Sequence, residues 1–206
     1  MRALGAALLL FFPFTVFAEE GYVYGENHCY YFSAPSGWVL DNLSGKNQGV
    51  PMVFYPKSSS WDKAITVIYT RNDEFVPGAR TPQEKIKGKV NRVLEEFRTS
   101  GDGPALQASL VQTIKSRSGA DGEIWKYSGD KWGNTELVAY FVAAHSVNFF
   151  VMSSRDPKDF ERSTPALLEL AASYREANDC VPCDKKNITM SCSGRQTSPE
   201  LIDTSS

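Results

Sequence analysis

The sequence predicts an α+β fold in which two main helices cover an antiparallel β-sheet. Three observations indicate this class. Short apolar and β-branched runs recur with Gly-rich turns between them, which is typical of an antiparallel sheet. One long amphipathic segment carries a helix-capping signal, and a second apolar helical segment follows the strands. Many strands with few helices favour a layered α+β domain.

The predicted strands are β-prone runs separated by turn residues. The run at 64–70 (AITVIYT) has the composition of a central strand, because apolar and β-branched residues are mixed along it. Together the strands are predicted at residues 29–32, 52–55, 64–70, 106–116, 123–128, 135–144 and 147–153.

The clearest predicted helix spans residues 81–99. Thr81 is a good N-cap, Pro82 suits the first helical position, and Glu84 completes a T-x-x-E capping box. Apolar residues recur at helical spacing and form one stripe, while charged residues fill the opposite, solvated face. The stripe consists of Ile86, Val90, Val93, Leu94 and Phe97.

The second helical region is predicted in two pieces. Residues 156–162 have the pattern of one helical turn. Thr164 and Pro165 then predict the start of a separate helix at 166–175, since Pro favours a helix beginning over a helix interior.

The first eighteen residues predict a secretory signal. Arg2 precedes an apolar run from Ala3 to Phe17, which Pro13 interrupts and which is short for a membrane span. Val16-Phe17-Ala18 provides small residues where an export peptidase cleaves. We therefore expect cleavage after Ala18 and a periplasmic or secreted protein of bacterial origin.

The rest of the chain is predicted to be one domain with a tail. Residues 19–28 are polar and Gly/Tyr-rich and predict an N-terminal arm, residues 29–176 form the α+β domain, and residues 177–206 form a cysteine-bearing, partly disordered tail. The formal net charge of −2 argues against a nucleic-acid-binding surface. No second apolar run has the length of a membrane span, so we expect no integral membrane segment in the mature chain.

Several of these features together resemble the PsbP-like superfamily, over roughly residues 30–174. The matching residues are Pro35, Gly37, Trp38, Phe54, Tyr55, Pro56, Trp125, Lys126, Tyr127, Phe149, Phe150, Val151, Ser173 and Tyr174. Most are packing and turn residues, so the resemblance concerns fold more than activity. It implies an α/β sandwich and a non-enzymatic exported accessory or binding protein with an unknown protein partner and no cofactor. It transfers no individual site residue.

The four cysteines are Cys29, Cys180, Cys183 and Cys192. In an exported protein four cysteines predict two disulfides, which allow three pairings. We favour Cys29–Cys180 with Cys183–Cys192, because this pairing ties the first strand to the end of the last helix.

Two alternatives use the same thiols. Cys180 and Cys183 form a C-x-x-C pair that could exchange disulfides, although it follows a helix C-terminus, where the dipole raises a thiol's pKa. Zinc binding would use Cys180, Cys183 and Cys192, with Cys29 or His28 as the fourth ligand. The thiol-redox and zinc-binding functions remain open at this point.

No catalytic motif stands out, and we predict neither catalytic residues nor a metal site. Nucleophilic catalysis needs a nucleophile, a base and an orienting acid in contact. His28 and His145 are the only histidines, and His145 lies at a strand connection. The acidic residues Asp121 and Asp130 suit turns beside glycine.

Two of the four tryptophans are predicted at loop tips. Trp61 lies in the sequence SSSWD and Trp132 lies in GDKWGN. Exposed tryptophans on a rigid scaffold often mark binding surfaces, so these two are the candidate binding residues. Trp38 and Trp125 are expected in the core.

Overall fold

The computed structural model of the protein describes residues 19–25, 28–75, 77–103, 105–177 and 191–193. These ranges hold eleven strands, two α-helices and a short 3-10 turn at Lys46–Gln48. The strands are β1 (Glu20–Tyr24), β2 (Cys29–Ser33), β3 (Trp38–Asp41), β4 (Val53–Pro56), β5 (Thr66–Glu74), β6 (Gln107–Lys115), β7 (Asp121–Ser128), β8 (Thr135–Val142), β9 (Ser146–Ser154), β10 (Arg175–Glu176) and β11 (Ser191–Ser193). The helices are α1 (Pro82–Ser100) and α2 (Pro157–Ala172).

Seven of the described strands form one antiparallel sheet in the order β3-β4-β5-β9-β8-β7-β6. Successive side chains along each strand alternate between its two faces. On β5, Ile68 belongs to the core on the α2 side, while Tyr69 packs against the cluster on the α1 side. The predicted antiparallel sheet with two covering helices is confirmed.

Helix α1 covers part of one face of this sheet. The Thr81 hydroxyl accepts from the Glu84 N–H at 3.2 Å, and the Glu84 carboxylate accepts from the Thr81 N–H at 3.1 Å. This is the predicted capping box. The buried side chains Ile86 and Val90 pack in the cluster that contains Val138, Tyr140, Val147, Phe149 and Val151.

Helix α2 is one continuous helix, so the predicted break before Thr164 is wrong. Asp156 caps its start by accepting from the Asp159 N–H at 2.8 Å, and Pro165 lies inside the helix. Proline removes one backbone hydrogen bond. The buried face formed by Ala166, Leu167, Leu170 and Ala171 outweighs that local cost, because it packs into the main core.

A smaller sheet lies with α2 on the other side of the large sheet, in the order β10-β2-β1-β11. Residues 20–24, which the sequence predicts as part of an arm, form β1 and pair with β2 from Glu20↔Ser33 to Tyr24↔Cys29. Tyr30 and Phe32 of β2 are buried against Phe150. The small sheet thus contributes to the core. Neither of the described helices has the length and apolar character of a membrane span.

Candidate binding groove

The large sheet has two ends that differ in what surrounds them. We call one the tryptophan end: it holds the β4–β5 loop (57–65), the β7–β8 turn (129–134) and Arg155, which the pairs Thr66↔Ser154 and Thr135↔Ser154 bring together. We call the opposite one the cysteine end. It holds the β6–β7 and β8–β9 turns and the segment 175–177, which lies beside Cys29.

A groove with a volume of about 560 Å³ opens at the tryptophan end. Its floor consists of residues in and just before β5, on the face of the sheet that α1 covers in part. Helix α1 leaves this area open because it packs over the β8 and β9 side chains of the same face. Ile65 in this floor is 60% exposed. The groove is lined by Trp61, Lys63, Ala64, Ile65, Val67, Tyr69, Asn134, Ser153, Ser154 and Arg155.

A chain of hydrogen bonds holds one rim of the groove in place. The Asp130 carboxylate accepts from the backbone N–H of Trp132 at 3.1 Å and of Asn134 at 2.8 Å, and from the Asn134 side-chain amide at 2.7 Å. The Asn134 side-chain oxygen in turn accepts from Arg155 Nε at 3.1 Å. The turn chemistry of Asp130 therefore positions the Arg155 guanidinium.

The structure places Trp61 and Trp132 at the same end of the sheet. Trp61 is half-buried and lines the groove directly. Trp132 is 47% exposed, with its ring edge-to-face against Phe97 at 6.4 Å between centroids. Trp38 and Trp125, which were expected in the core, are each only partly buried.

Sequence reasoning missed Glu136, a half-buried carboxylate next to the groove. It lies on the α1 face of β8, and its carboxylate accepts from the Tyr69 hydroxyl at 3.5 Å. Burial raises the pKa of Glu136 to about 6, and the nearby Asp130 charge adds to that rise. The sequence signal for this burial is the alternation along β8, because Glu136 lies on the same face of the strand as the buried Val138 and Tyr140.

A second partly buried carboxylate, Asp73, lies toward the cysteine end of β5. Lys89 Nζ contacts its carboxylate at 2.5 Å, and Arg92 reaches the same oxygen at 3.2 Å. Burial acts to raise the pKa of Asp73, but the hydrogen bond and charge of Lys89, with the Arg92 charge, hold it below its usual value. Helix α1 thus supplies two cations to Asp73.

The predicted cysteine sites fall largely outside the described residues, as does the predicted signal at 1–18. Cys29 is buried, its carbonyl oxygen accepts from the Ala177 N–H at 3.1 Å, and its Sγ lies 3.7 Å from the Ala177 carbonyl oxygen. Cys192 has a described backbone in β11, opposite Tyr22 of β1. Cys180 and Cys183 lie outside the described residues.

Comparison with solved structures identifies the architecture. The solution structure of cyanobacterial PsbP (CyanoP) from Synechocystis sp. PCC 6803 is similar with a TM-score of 0.50 and 16% identity, over 82% of this chain and 99% of that one. The fold is PsbP-like. The Saccharomyces cerevisiae Ran-binding protein Mog1p is also similar, with a TM-score of 0.43 and 12% identity over 71% of this chain and 89% of that one.

The PsbP-like resemblance predicted from the sequence is confirmed at the level of fold, which at these identities is all that the likeness shows. No protein-family model and no curated protein sequence matches the chain.

The described part of this PsbP-like chain brings no nucleophile and base together around its histidines. His145 is exposed in the β8–β9 turn, while the buried Ser146 hydroxyl donates to the Asn148 side-chain oxygen at 3.0 Å. His28 is partly buried, and burial lowers its pKa. Among the described residues no three His, Cys, Asp or Glu side chains converge as a metal site.

The acidic residues near the β6–β7 turn have ordinary structural partners. Asp121 forms an ion pair with Lys115 at 2.7 Å. The Glu123 carboxylate accepts from Trp125 Nε1 at 2.8 Å. The groove at the tryptophan end is therefore the stronger functional candidate.

Proposed function

We propose that this protein is an exported, non-enzymatic binding protein that recognises a partner through the groove at the tryptophan end. The observation that carries the proposal is the convergence of Trp61, Tyr69 and Arg155 around one concave, partly apolar surface. Tryptophan, tyrosine and arginine are the residues that most often dominate binding energy at interfaces.

The fold supports binding over catalysis. PsbP-like domains are typically non-catalytic binding proteins. The groove offers aromatic surface, aliphatic surface and a positioned guanidinium, which are means of recognition rather than of bond cleavage.

A photo-cross-linker tests the proposed surface directly. A benzoylphenylalanine residue would be introduced in place of Ile65 in the groove and, as a matched control, in place of Leu43. Leu43 is also strongly exposed and apolar, at 66%, but it follows β3 at the end of β4 away from the groove. We expect irradiated cells of the source organism to give a discrete cross-linked product from position 65 and not from position 43.

A further substitution distinguishes a specific product from collision. Trp61→Ala should abolish the product formed from position 65, because it removes an aromatic wall of the groove. Absence of a product at position 65, or equal products at positions 43 and 65, would overturn the proposal.

The proposal also includes export and two disulfides. The register of β11, β1 and β2 helps to decide which cysteine pairs with Cys29. Cys192 lies opposite Tyr22, which lies opposite Tyr31, so β1 separates Cys192 from β2. Two strand spacings amount to about 9–10 Å, beyond the roughly 7 Å Cα limit of a disulfide. The backbone N–H of Ala177, by contrast, donates a hydrogen bond to the Cys29 carbonyl oxygen, and Ala177 precedes Cys180 by three residues. These positions favour Cys29 pairing with Cys180 or Cys183, and we propose Cys29–Cys180 with Cys183–Cys192.

Peptide mapping of the alkylated, non-reduced protein from its natural source tests the pairing and the export. We expect an N-terminus at Glu19 and a peptide linking Cys29 to Cys180. A Cys29–Cys192 peptide would contradict the assignment. Four alkylated thiols with one bound zinc ion would replace it by the zinc alternative.

A further inference from the structure

We propose that the groove at the tryptophan end recognises a carboxylate joined to an apolar body, with the carboxylate at Arg155 and the apolar body on the β5 side. This inference rests on the proposed binding function and names the chemistry of its ligand. It is carried by three features of the groove: its size, its apolar floor and its positioned cations.

The size and floor suit a small apolar body. A volume of about 560 Å³ lies within the range of roughly 300–1,000 Å³ for small-molecule sites. Ala64, Ile65 and Val67 give an aliphatic floor, and Trp61 and Tyr69 supply aromatic surface beside it. Covering this surface removes exposed apolar area from water, which favours association.

The rim supplies a cation with fixed direction. Arg155 uses Nε to donate to Asn134, and within the described residues its terminal N–H groups are left for a ligand. A guanidinium matches the two oxygens of a carboxylate with two parallel hydrogen bonds. Because Asp130 holds Asn134 and Asn134 holds Arg155, less side-chain entropy is lost when a ligand binds.

The two charged residues that line the groove, Lys63 and Arg155, are both cations, and this favours an anionic ligand at the rim. Lys63 also lines the groove, and within the described residues neither Lys63 nor Arg155 forms an ion pair. Asp62, Asp130 and Glu136 are nearby acids, but none of them is among the residues that line the groove. A cationic ligand would meet two like charges at the rim.

Three probes of matched shape test the charge requirement on the mature protein, residues 19–206. They are 4-phenylbutyrate, its neutral amide and 4-phenylbutylamine. Titrations followed by ¹H–¹⁵N NMR should shift the Trp61 indole and the backbone amides of Asn134 and Arg155. We expect the carboxylate to bind about tenfold more tightly than the amide, and the amine to bind least.

Substitutions locate the recognition. Arg155→Gln should remove the preference for the carboxylate and leave the affinity for the amide unchanged, since the apolar floor is intact. Arg117→Gln, an exposed arginine of the β6–β7 turn at the cysteine end, is the matched control and should change neither affinity. Equal affinity of the wild-type protein for acid and amide, or retention of the preference in Arg155→Gln, would overturn the inference.

A peptide arm separates the two sources of such a carboxylate. A hexapeptide ending in phenylalanine would be compared with its C-terminally amidated form. If the free-acid peptide binds more tightly than both its amide and 4-phenylbutyrate, the ligand is a protein C-terminus. If 4-phenylbutyrate binds more tightly than the free-acid peptide, the ligand is a free organic acid. If no probe distinguishes acid from amide while the photo-cross-link at position 65 persists, this inference fails and the proposed binding function stands.

Discussion

The two ends of the seven-stranded sheet use their side chains in opposite ways. At the cysteine end, aromatic rings and hydrogen bonds close the structure: Tyr174 stacks on Phe141 at 4.2 Å between centroids and accepts from the Asn148 side-chain amide at 3.0 Å. At the tryptophan end, Trp132 and Ile65 stay exposed and Arg155 points to an open groove. One end of the sheet therefore stabilises the fold, while the other leaves side chains exposed at the groove where we propose binding.

The two partly buried carboxylates show the same division. Asp73, toward the cysteine end, is paired with Lys89 and Arg92. Glu136, toward the tryptophan end, has the hydroxyls of Ser153 and Tyr69 as partners instead of an ion pair within the described residues, and its pKa is raised to about 6. A partly buried carboxylate without an ion pair lowers stability when it is charged, and functional sites often accept that cost.

The largest expected effect is at the cysteine end. Tyr174→Ala removes a ring that is 1% exposed and in contact with Phe141, Tyr30 and Phe150. We expect the free energy of unfolding to fall by about 3–5 kcal/mol, measured by urea denaturation. Tyr174→Phe is the control: it keeps the ring and loses the bond to Asn148, so it should cost about 1–2 kcal/mol. Equal losses in the two variants would show that the ring contacts contribute little.

The next effect concerns the pH dependence of stability. Because the pKa of Glu136 is higher in the folded protein (about 6) than its usual 4.5, its contribution is fully favourable below pH 4.5 and is lost as the pH rises through 6. The loss is on the order of 2 kcal/mol.

Glu136→Gln should remove this loss, so that the variant is more stable than wild type at pH 8 and differs least at pH 4. Urea denaturation at each pH measures the difference. An Asp73→Asn variant provides the opposite comparison, because the pKa of Asp73 is lowered in the folded state. The stability that the Asp73 carboxylate contributes is present above its usual pKa of 3.8 and is lost as the pH falls through the folded value. Parallel profiles for the two variants would contradict the distinction between the two carboxylates.

A smaller effect on stability, with a larger one on binding, is expected at the β7–β8 turn. Asp130→Ala removes three hydrogen bonds from the turn and releases Asn134, which holds Arg155. We expect a loss of about 1–2 kcal/mol in unfolding free energy and a weakened preference for carboxylate probes. Asp130→Asn, which keeps one acceptor oxygen, should retain part of both properties. Unchanged carboxylate preference in Asp130→Ala would show that Arg155 needs no support from the turn.

The smallest expected effect on stability is that of Trp132→Ala. The ring is half exposed and contacts Phe97 and the Lys131 ammonium, so truncation should cost about 1 kcal/mol or less in a thermal or urea unfolding experiment. A loss comparable to that of Tyr174→Ala would mean that both ends of the sheet serve stability alike.

Local signals predicted much of this structure. Helix α1 was predictable because its capping box and apolar stripe depend on residues within a few positions of one another. The break predicted in α2 shows the limit, because Pro165 is unfavourable locally while the burial that compensates for it comes from strands far away in the sequence. Strand β1 was not predicted for the same reason. This five-residue segment is a strand because it pairs with β2 in the small sheet, and that pairing leaves no local signal.

The sequence by itself determined the α+β class, the PsbP-like resemblance and the two loops that carry Trp61 and Trp132, because periodicity, caps and turn residues act over short distances. Only the tertiary structure decided that Trp61, Asn134 and Arg155 share one groove and that the half-buried Glu136 lies beside it. Trp61, Asn134 and Arg155 lie next to the ends of β5, β8 and β9. The strand register that aligns Thr66, Thr135 and Ser154 at those ends arises from long-range pairing and core packing.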